Sequence, residues 1–396
     1  MTLSEDTPAM AIDISSADTP GPGPISGKPA AFVFARDRGE RARDINDFYN
    51  GFTGKARSLE AYQWEFYGVP SGPALVWTIT EAATQRVVGH HSIIPTPLVR
   101  CGTTIPAGRT ENTIIDPAVR TKLFYPGMEK KALAEARQSF GVLYTIHSTG
   151  PGRLRERFGY RPVGRWVVYL PKIGPKYLNA LLQRGRDRVV PRVPDVLLTL
   201  LANAVGRVQM LGNGLRRAPH SADVVEIDDI GAIATEYEAF WSRARRRYDL
   251  TIDRSVDFLR WRIADNPHLK FRTWTLRRAG ELQAVVIGHR HHIGAAAALY
   301  VDDVIVGDYV DASFETVLSC LPHLDPDADA VVVMTLALDT PLHRALRRRL
   351  PLQARFLDRY GHRLFDEMLA LDSEGASGGG PWYVTPVFTE GMDTSR

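Results

Sequence analysis

Histidines and acids crowd the second half of the chain in a pattern that invites a metal. His289, His291 and His292 alternate through a run that reads as a strand, and Asp302, Asp303, Asp308 and Asp311 follow. Zinc wants a fixed set of ligands oriented by partners, and nothing near these histidines completes one. The acid spacing fits no calcium loop. The acids are therefore expected at solvated strand ends, and no metal is expected. Cys101 and Cys320 lie far apart, which suits a reducing compartment and puts neither sulfur in a disulfide framework or a nucleophile motif. A different stretch offers charge: Arg120-Thr121-Lys122-Leu123-Phe124-Tyr125 precedes Pro126, a residue suited to a helix's first turn because it has no N–H to lose there.

The elements that must position these residues come in two copies. QWEFYGVP at 63–70 has a counterpart in RWRIADNP at 260–267, and each Trp-x5-Pro runs on to a second tryptophan followed by threonine. The pairs Trp64/Trp77 and Trp261/Trp274 are both thirteen apart, and each is followed by a hydrophobic run ending in Gly-His, at Gly89-His90 and Gly288-His289. Upstream, FVFARDRGERARDINDFYNGF and VVEIDDIGAIATEYEAFWSRAR both read as a strand and an amphipathic helix. Proline stops a second helix in each copy, and hairpin strands follow. The order is β-α-α-β-β in duplicate, an α+β arrangement with antiparallel strands. Copy one continues as a strand (110–116), a tight turn, a helix (127–140), a strand (142–147), a short helix and a last strand. Strand, loop, helix and strand make a crossover that pairs parallel strands.

At 396 residues the chain exceeds one ordinary core, and two domains are expected. A hydrophobic share of 44% with 24% charged is that of a soluble globular protein. Residues 1–29 are read as a disordered leader and 372–396 as a flexible tail, flanking domains at 30–171 and 221–371. No apolar run reaches a membrane span without a charge inside it. The net charge of +4 is concentrated, with nine Lys/Arg against two Asp in residues 172–217. The functional reading of that segment is contact with acidic lipid or a phosphorylated ligand; the plainer one, which is the expectation, is a basic helical connector at 172–220.

The order and spacing resemble the GNAT (GCN5-related N-acetyltransferase) superfamily, which moves an acyl group from coenzyme A, usually to an amine. IIDPAVRTKLFYPGMEKKALAEAR resembles its coenzyme-binding strand, Arg-rich loop and helix. STGPGRLRERFGYRPVG resembles its closing helix, and Trp-x5-Pro with the strands after it is similar to tandem proteins in which two such domains are fused. The resemblance spans Phe32 to Leu371. It implies an α+β fold of α/β/α layers, with two GNAT-like domains that each carry a mixed, mostly antiparallel sheet flanked by helices.

It also implies a site. Ile114 and Ile115 would flank the pantetheine, and Arg120, Thr121, Lys122, Leu123, Phe124 and Tyr125 would cradle the pyrophosphate at the start of a helix, where donors and dipole favour an anion. Glu111 stands where many relatives carry the base, His147 is a second candidate for proton transfer, and Arg155 takes the place of the usual acid. Asp116 reads as turn chemistry. Three residues depart from the pattern. The phosphate loop has no glycine, Arg155 replaces a tyrosine and can stabilise a thiolate only by charge, and Ser148 replaces an asparagine. Copy two departs further, with acids where a cationic loop would stand.

The reading is an acyl-CoA-dependent N-acyltransferase, with acetyl-CoA or another acyl-CoA as donor. The acceptor is expected to be a small amine such as an amino sugar or amino acid, attacking directly in a ternary complex. A cytoplasmic location is expected, with no DNA partner and no transmembrane segment; a homodimer is allowed for. The alternatives are a catalytically silent GNAT-like binding or partner-organising protein, and an aminoacyl-tRNA-dependent transferase.

Overall fold

The computed structural model describes residues 10–12, 32–119, 124–147, 152–189, 223–360, 367–372 and 380–388. Contacts group the chain into two compact units, Met1–Thr96 with Pro106–Thr145, and Pro97–Ile105 with Ile146–Arg396. The second unit thus includes a short hairpin that interrupts the first copy in sequence.

In the first unit, β1 (Met10–Ile12) pairs antiparallel with β2 (Phe32–Asp37), so this part of the expected leader is a strand. Two helices follow. α1 (Ala42–Thr53) ends because Gly54 adopts φ 71 and its N–H donates to the Asn50 carbonyl. α2 (Leu59–Tyr67) begins at Ser58, whose hydroxyl accepts the Ala61 N–H at 3.1 Å. β3 (Leu75–Glu81) and β4 (Val87–Pro95) form the hairpin. The chain then makes β5 (Leu98–Arg100) and β6 (Thr103–Ile105), and returns with β7 (Ala107–Ile115). α3 (Phe124–Ala136) connects to β8 (Val142–His147). The strand order is β1-β2-β3-β4-β7-β8, antiparallel except for the β7–β8 pair.

β4 is buried along its whole length, which for a strand requires cover on both faces. Consecutive side chains reveal the two covers. His90 meets Phe66 of α2 at 5.8 Å between rings, whereas His91 meets Trp77 at 5.6 Å. The Trp77 indole N–H in turn donates to Glu135 of α3 at 3.2 Å. Helices α1 and α2 therefore take one face, and α3 takes the other.

The second unit starts with α4 (Gly152–Glu156), β9 (Arg161–Ile173) and α5 (Pro175–Val189). α5 falls in the expected connector, and its Tyr177, 1% exposed, packs with Ile173, Ala298 and Val332. Residues 190–222 of that segment lie outside the described residues. The duplicate unit is β10 (Asp223–Ile227), α6 (Ala234–Ala244), β11 (Leu250–Ile252), α7 (Val256–Leu259), β12 (Phe271–Arg278), β13 (Glu281–Ile293) and β14 (Ala296–Val306). A helix at Asp311–Leu324 crosses to β15 (Ala330–Leu336), parallel to β14. The last strands are β16 (Glu367–Asp372) and β17 (Trp382–Tyr383). One sheet runs β16-β9-β15-β14-β13-β12-β10, and a second runs β17-β11-β5-β6.

Three expectations change. The Gly-His pairs are not equivalent, since Gly89 stands opposite Ile79, two residues after Trp77, but Gly288 stands opposite Arg272, two before Trp274. Residues 380–388, expected in a flexible tail, place Tyr383, Val384 and Val387 at 1% exposure or less, because their side chains complete the second core. Asp302 and Asp303 are not solvated strand ends. Both are buried, Asp302 against His289 Nδ1 at 2.6 Å and Asp303 against Arg254 at 2.8 Å.

Candidate functional site

β7 holds the features on which chemistry could be built. Its parallel pairing with β8 covers only Ala107–Arg109 against Val142–Tyr144, although both strands run on. Thr145 adds one last tie, its hydroxyl donating to the Thr110 carbonyl at 3.3 Å. On the other side the ladder to β4 continues as far as Gly89–Ile115. Along Glu111–Ile115 the register of the strand is thus set by β4.

A bulge lies at the point of parting. Ser92 faces Glu111 and His90 faces Ile114, so Asn112 and Thr113 together oppose the single residue His91. Asn112 adopts φ 48 to make this possible. The bulge re-aims the side chains that follow and is pinned from both faces: His91 Nδ1 is 2.8 Å from the Thr113 hydroxyl, and the Ser92 hydroxyl donates to the Glu111 carbonyl at 2.9 Å.

Charge is concentrated here. Glu111 and Arg109 form an ion pair at 3.0 Å with side chains 8% and 3% exposed. Behind them, Arg57 pairs with Glu65 at 3.0 Å and lies 3.9 Å from the centre of the Tyr49 ring. His90 is fully enclosed beside this group; burial, and then the neighbouring Arg57 charge, push its pKa down to about 3. It is a neutral imidazole at physiological pH. Asp116 is the turn residue it was expected to be. Its carboxylate accepts the Ala118 N–H at 2.9 Å and pairs with Arg86 at 2.9 Å, and these two contacts, in that order, hold its pKa below the usual range.

The residues singled out from sequence are thus distributed unevenly. Glu111, Ile114 and Ile115 stand together on the parted half of β7, and Tyr125 lies half-buried in the first turn of α3. Arg120, Thr121, Lys122 and Leu123 lie outside the described residues. Phe124 opens α3 and His147 ends β8. Arg155 belongs to α4 of the second unit, where it is 4% exposed and its guanidinium stands 6.0 Å from the centre of the Tyr160 ring. Sequence reasoning missed Arg109, Asn112 and Arg57. A signal existed for the last: Arg57-Ser58 precedes Trp64 by the same spacing as Arg254-Ser255 precedes Trp261, and each arginine is buried beside a carboxylate.

No family model and no curated relative matches the chain. Solved structures do. A protein of Enterococcus faecalis described as a probable N-acyltransferase is 11% identical, with a TM-score of 0.57 over 86% of this chain and 73% of its own. A GCN5-related N-acetyltransferase of Anabaena variabilis is 13% identical, with a TM-score of 0.57 over 89% and 75%. The N-myristoyltransferase of Saccharomyces cerevisiae, solved with myristoyl-CoA, is 11% identical, with a TM-score of 0.51 over 93% and 86%. Identities this low speak for architecture, and by that measure the chain has the GNAT-like fold of the N-acetyl- and N-myristoyltransferases.

Proposed function

We propose that this protein is an acyl-CoA-dependent N-acyltransferase acting on a small amine. The observation that carries the reading is the parting of β7 from β8 beside the bulge at Asn112–Thr113. The donor's pantetheine would lie along β7 where it parts from β8, flanked by Ile114 and Ile115. Its pyrophosphate would meet the start of α3, with Arg120 and Lys122 supplying charge where the family's glycines are absent.

In the reaction the amine nitrogen attacks the thioester carbonyl carbon. The C–N bond forms and the carbonyl electron pair moves to oxygen, where a preorganised donor at the bulge steadies it. The pair then returns, the C–S bond breaks, and the thiolate departs. Glu111 would take the amine's proton directly or through water, with His147 as the second candidate. Use of acetyl-CoA rather than a longer donor, and of an amino sugar or amino acid as acceptor, belongs to the same proposal.

One observation favours the second reading, a silent GNAT-like binding protein: Arg109 already occupies the Glu111 carboxylate as an ion pair at 3.0 Å. Calorimetry on the intact chain with acetyl-CoA and myristoyl-CoA, beside Arg120→Ala and Lys122→Ala, tests the donor site. Thiol release with glucosamine and lysine tests transfer. Binding that weakens in the variants, with thiol release, supports the transferase. Binding without release supports the silent protein. Absence of binding at millimolar ligand removes the donor model.

A further inference from the structure

Among the described residues, four that are not glycine adopt positive φ: Gln85, Cys101, Asn112 and Ala279. Gln85, Cys101 and Ala279 sit in the turns between β3 and β4, β5 and β6, and β12 and β13. Asn112 alone lies inside a strand, at the bulge where β7 parts from β8. It is 8% exposed, and its buried amide nitrogen Nδ2 has no hydrogen-bond partner among the described residues. Native interiors rarely leave such a donor unused. Among the described residues nothing accepts from this nitrogen, so its N–H is open to an incoming oxygen.

We propose that the Asn112 carboxamide is a catalytic residue that donates a hydrogen bond to the acyl carbonyl oxygen of the bound thioester. The inference rests on the transferase reading above. As the amine attacks and the C–N bond forms, the carbonyl π electrons move to that oxygen, and the amide N–H meets the charge that develops there. When the C–S bond breaks, the electron pair returns, the thiolate leaves and takes up a proton from solvent, and the ammonium proton passes to the base. A backbone explanation of Asn112 is separable from this role. Asparagine tolerates left-handed backbone, but glycine does so with less strain, so glycine keeps the bulge and deletes only the amide.

The test uses the full chain with [1-13C]acetyl-CoA, comparing wild type, Asn112→Gly and Asn112→Asp. Isotope-edited infrared spectra of the bound thioester are expected to show the carbonyl band at lower frequency in the wild type than in water, and to return toward the water value in both variants. Thiol release with glucosamine or lysine is expected to fall about 10²-fold in kcat for Asn112→Gly, with the acetyl-CoA Kd changed by less than about threefold. Asn112→Asp, close in shape but lacking donors, is expected to fall further and carries the test if the glycine variant does not fold. A wild-type carbonyl band matching that of the variants overturns the assignment even where no transfer is detected. So does a glycine variant with wild-type kcat. If the wild type binds no acetyl-CoA, the transferase reading fails and this inference fails with it, a result plainly different from a loss confined to the variants.

Discussion

The half-strands Glu111–Ile115 and Asp302–Val306 hold corresponding places in the two copies, and their surroundings differ. Each follows a short parallel pairing, Ala107–Arg109 with β8 in the first and Ala298–Val301 with β15 in the second, and each has a bulge against its antiparallel neighbour. In the second copy the chain's own end fills the place. The Tyr383 hydroxyl donates to the Val304 carbonyl, and the Thr385 hydroxyl donates to Asp303 at 2.8 Å. Arg254 and Asp303, both at 0% exposure, close the arrangement. In the first copy Glu111 finds its counter-charge on its own strand, in Arg109, and Asn112 keeps an amide nitrogen with no partner among the described residues.

The largest test removes the saturating segment. Ending the chain after residue 379 deletes Trp382 and Tyr383, at 6% and 1% exposure, with Val384 and Val387. Truncating one large buried aromatic costs about 3–5 kcal/mol, so losing two approaches the whole stability of a domain. The second unit is expected to lose cooperative urea unfolding and to become a substrate for limited proteolysis. A truncated chain that melts like the full one would break the comparison outright.

Next come the two buried arginines that precede the capping serines. Arg254→Met leaves Asp303 buried without its counter-charge, a change of about 3–5 kcal/mol. Arg57→Met is expected to cost less, because the Arg57 and Glu65 side chains are 7% and 11% exposed and water can reach the orphaned carboxylate. Urea midpoints of the two variants order the sites. Equal losses would mean that the first copy is sealed as tightly as the second.

In the first copy the ion pair on the parted strand can be separated into stability and chemistry. Glu111→Gln strands the Arg109 guanidinium, 2% exposed, and is expected to cost about 3 kcal/mol and to abolish most thiol release. Arg109→Met with Glu111→Leu removes both charges and is expected to recover most of the stability but none of the activity. Recovery of both, measured by melting temperature and thiol release, would make Glu111 a structural residue only.

How much of this could be read in advance depended on whether the signal was local. Trp-x5-Pro and the strand-helix order are local, and they located both copies and the fold. Register is not. The recurrence of Gly-His suggested equivalence, but the pairing that decides it lies across the sheet, and Gly89 and Gly288 stand on opposite sides of their tryptophans. Asp302 and Asp303 read as exposed because acids usually are, whereas their partners lie across the hairpin, in His289, and 49 residues away, in Arg254. The buried residues 382–387 follow a Gly- and Ser-rich stretch that marks a tail in most chains. Of the candidate site, Glu111 and the isoleucines were legible through the resemblance. Asn112 was not, since no local pattern announces a bulge inside a strand.

The enclosed imidazole of the first copy gives that unit a pH dependence of its own. His90 has a folded pKa of about 3 against an ordinary value of 6.5, so the unfolded chain binds a proton that the folded one refuses. Its contribution is fully present above 6.5 and is lost as the pH falls toward 3, with a slope approaching about 1.4 kcal/mol per unit. His90→Phe is expected to flatten this part of the stability profile, read as urea midpoints between about pH 7 and 4. An unchanged slope would move the acid sensitivity elsewhere, to the carboxylates of both copies.

The finest comparison uses the two serines that cap corresponding helices. Ser58 accepts the Ala61 N–H at 3.1 Å, and Ser255 accepts the Phe258 N–H at 3.4 Å, each just after a buried arginine. Replacing an N-cap serine by alanine costs about 1 kcal/mol by stranding one helix donor. Ser58→Ala and Ser255→Ala are both expected near that figure in urea unfolding, with the shorter bond losing slightly more. Their effects on thiol release should differ. The Ser58 helix carries Phe66, which packs on His90, the residue opposite Ile114 on the parted strand, whereas the Ser255 helix supports a strand already closed by Tyr383 and Thr385. A small loss of activity confined to Ser58→Ala, at matched loss of stability, would place the working edge in the first copy without touching any residue that could contact a substrate.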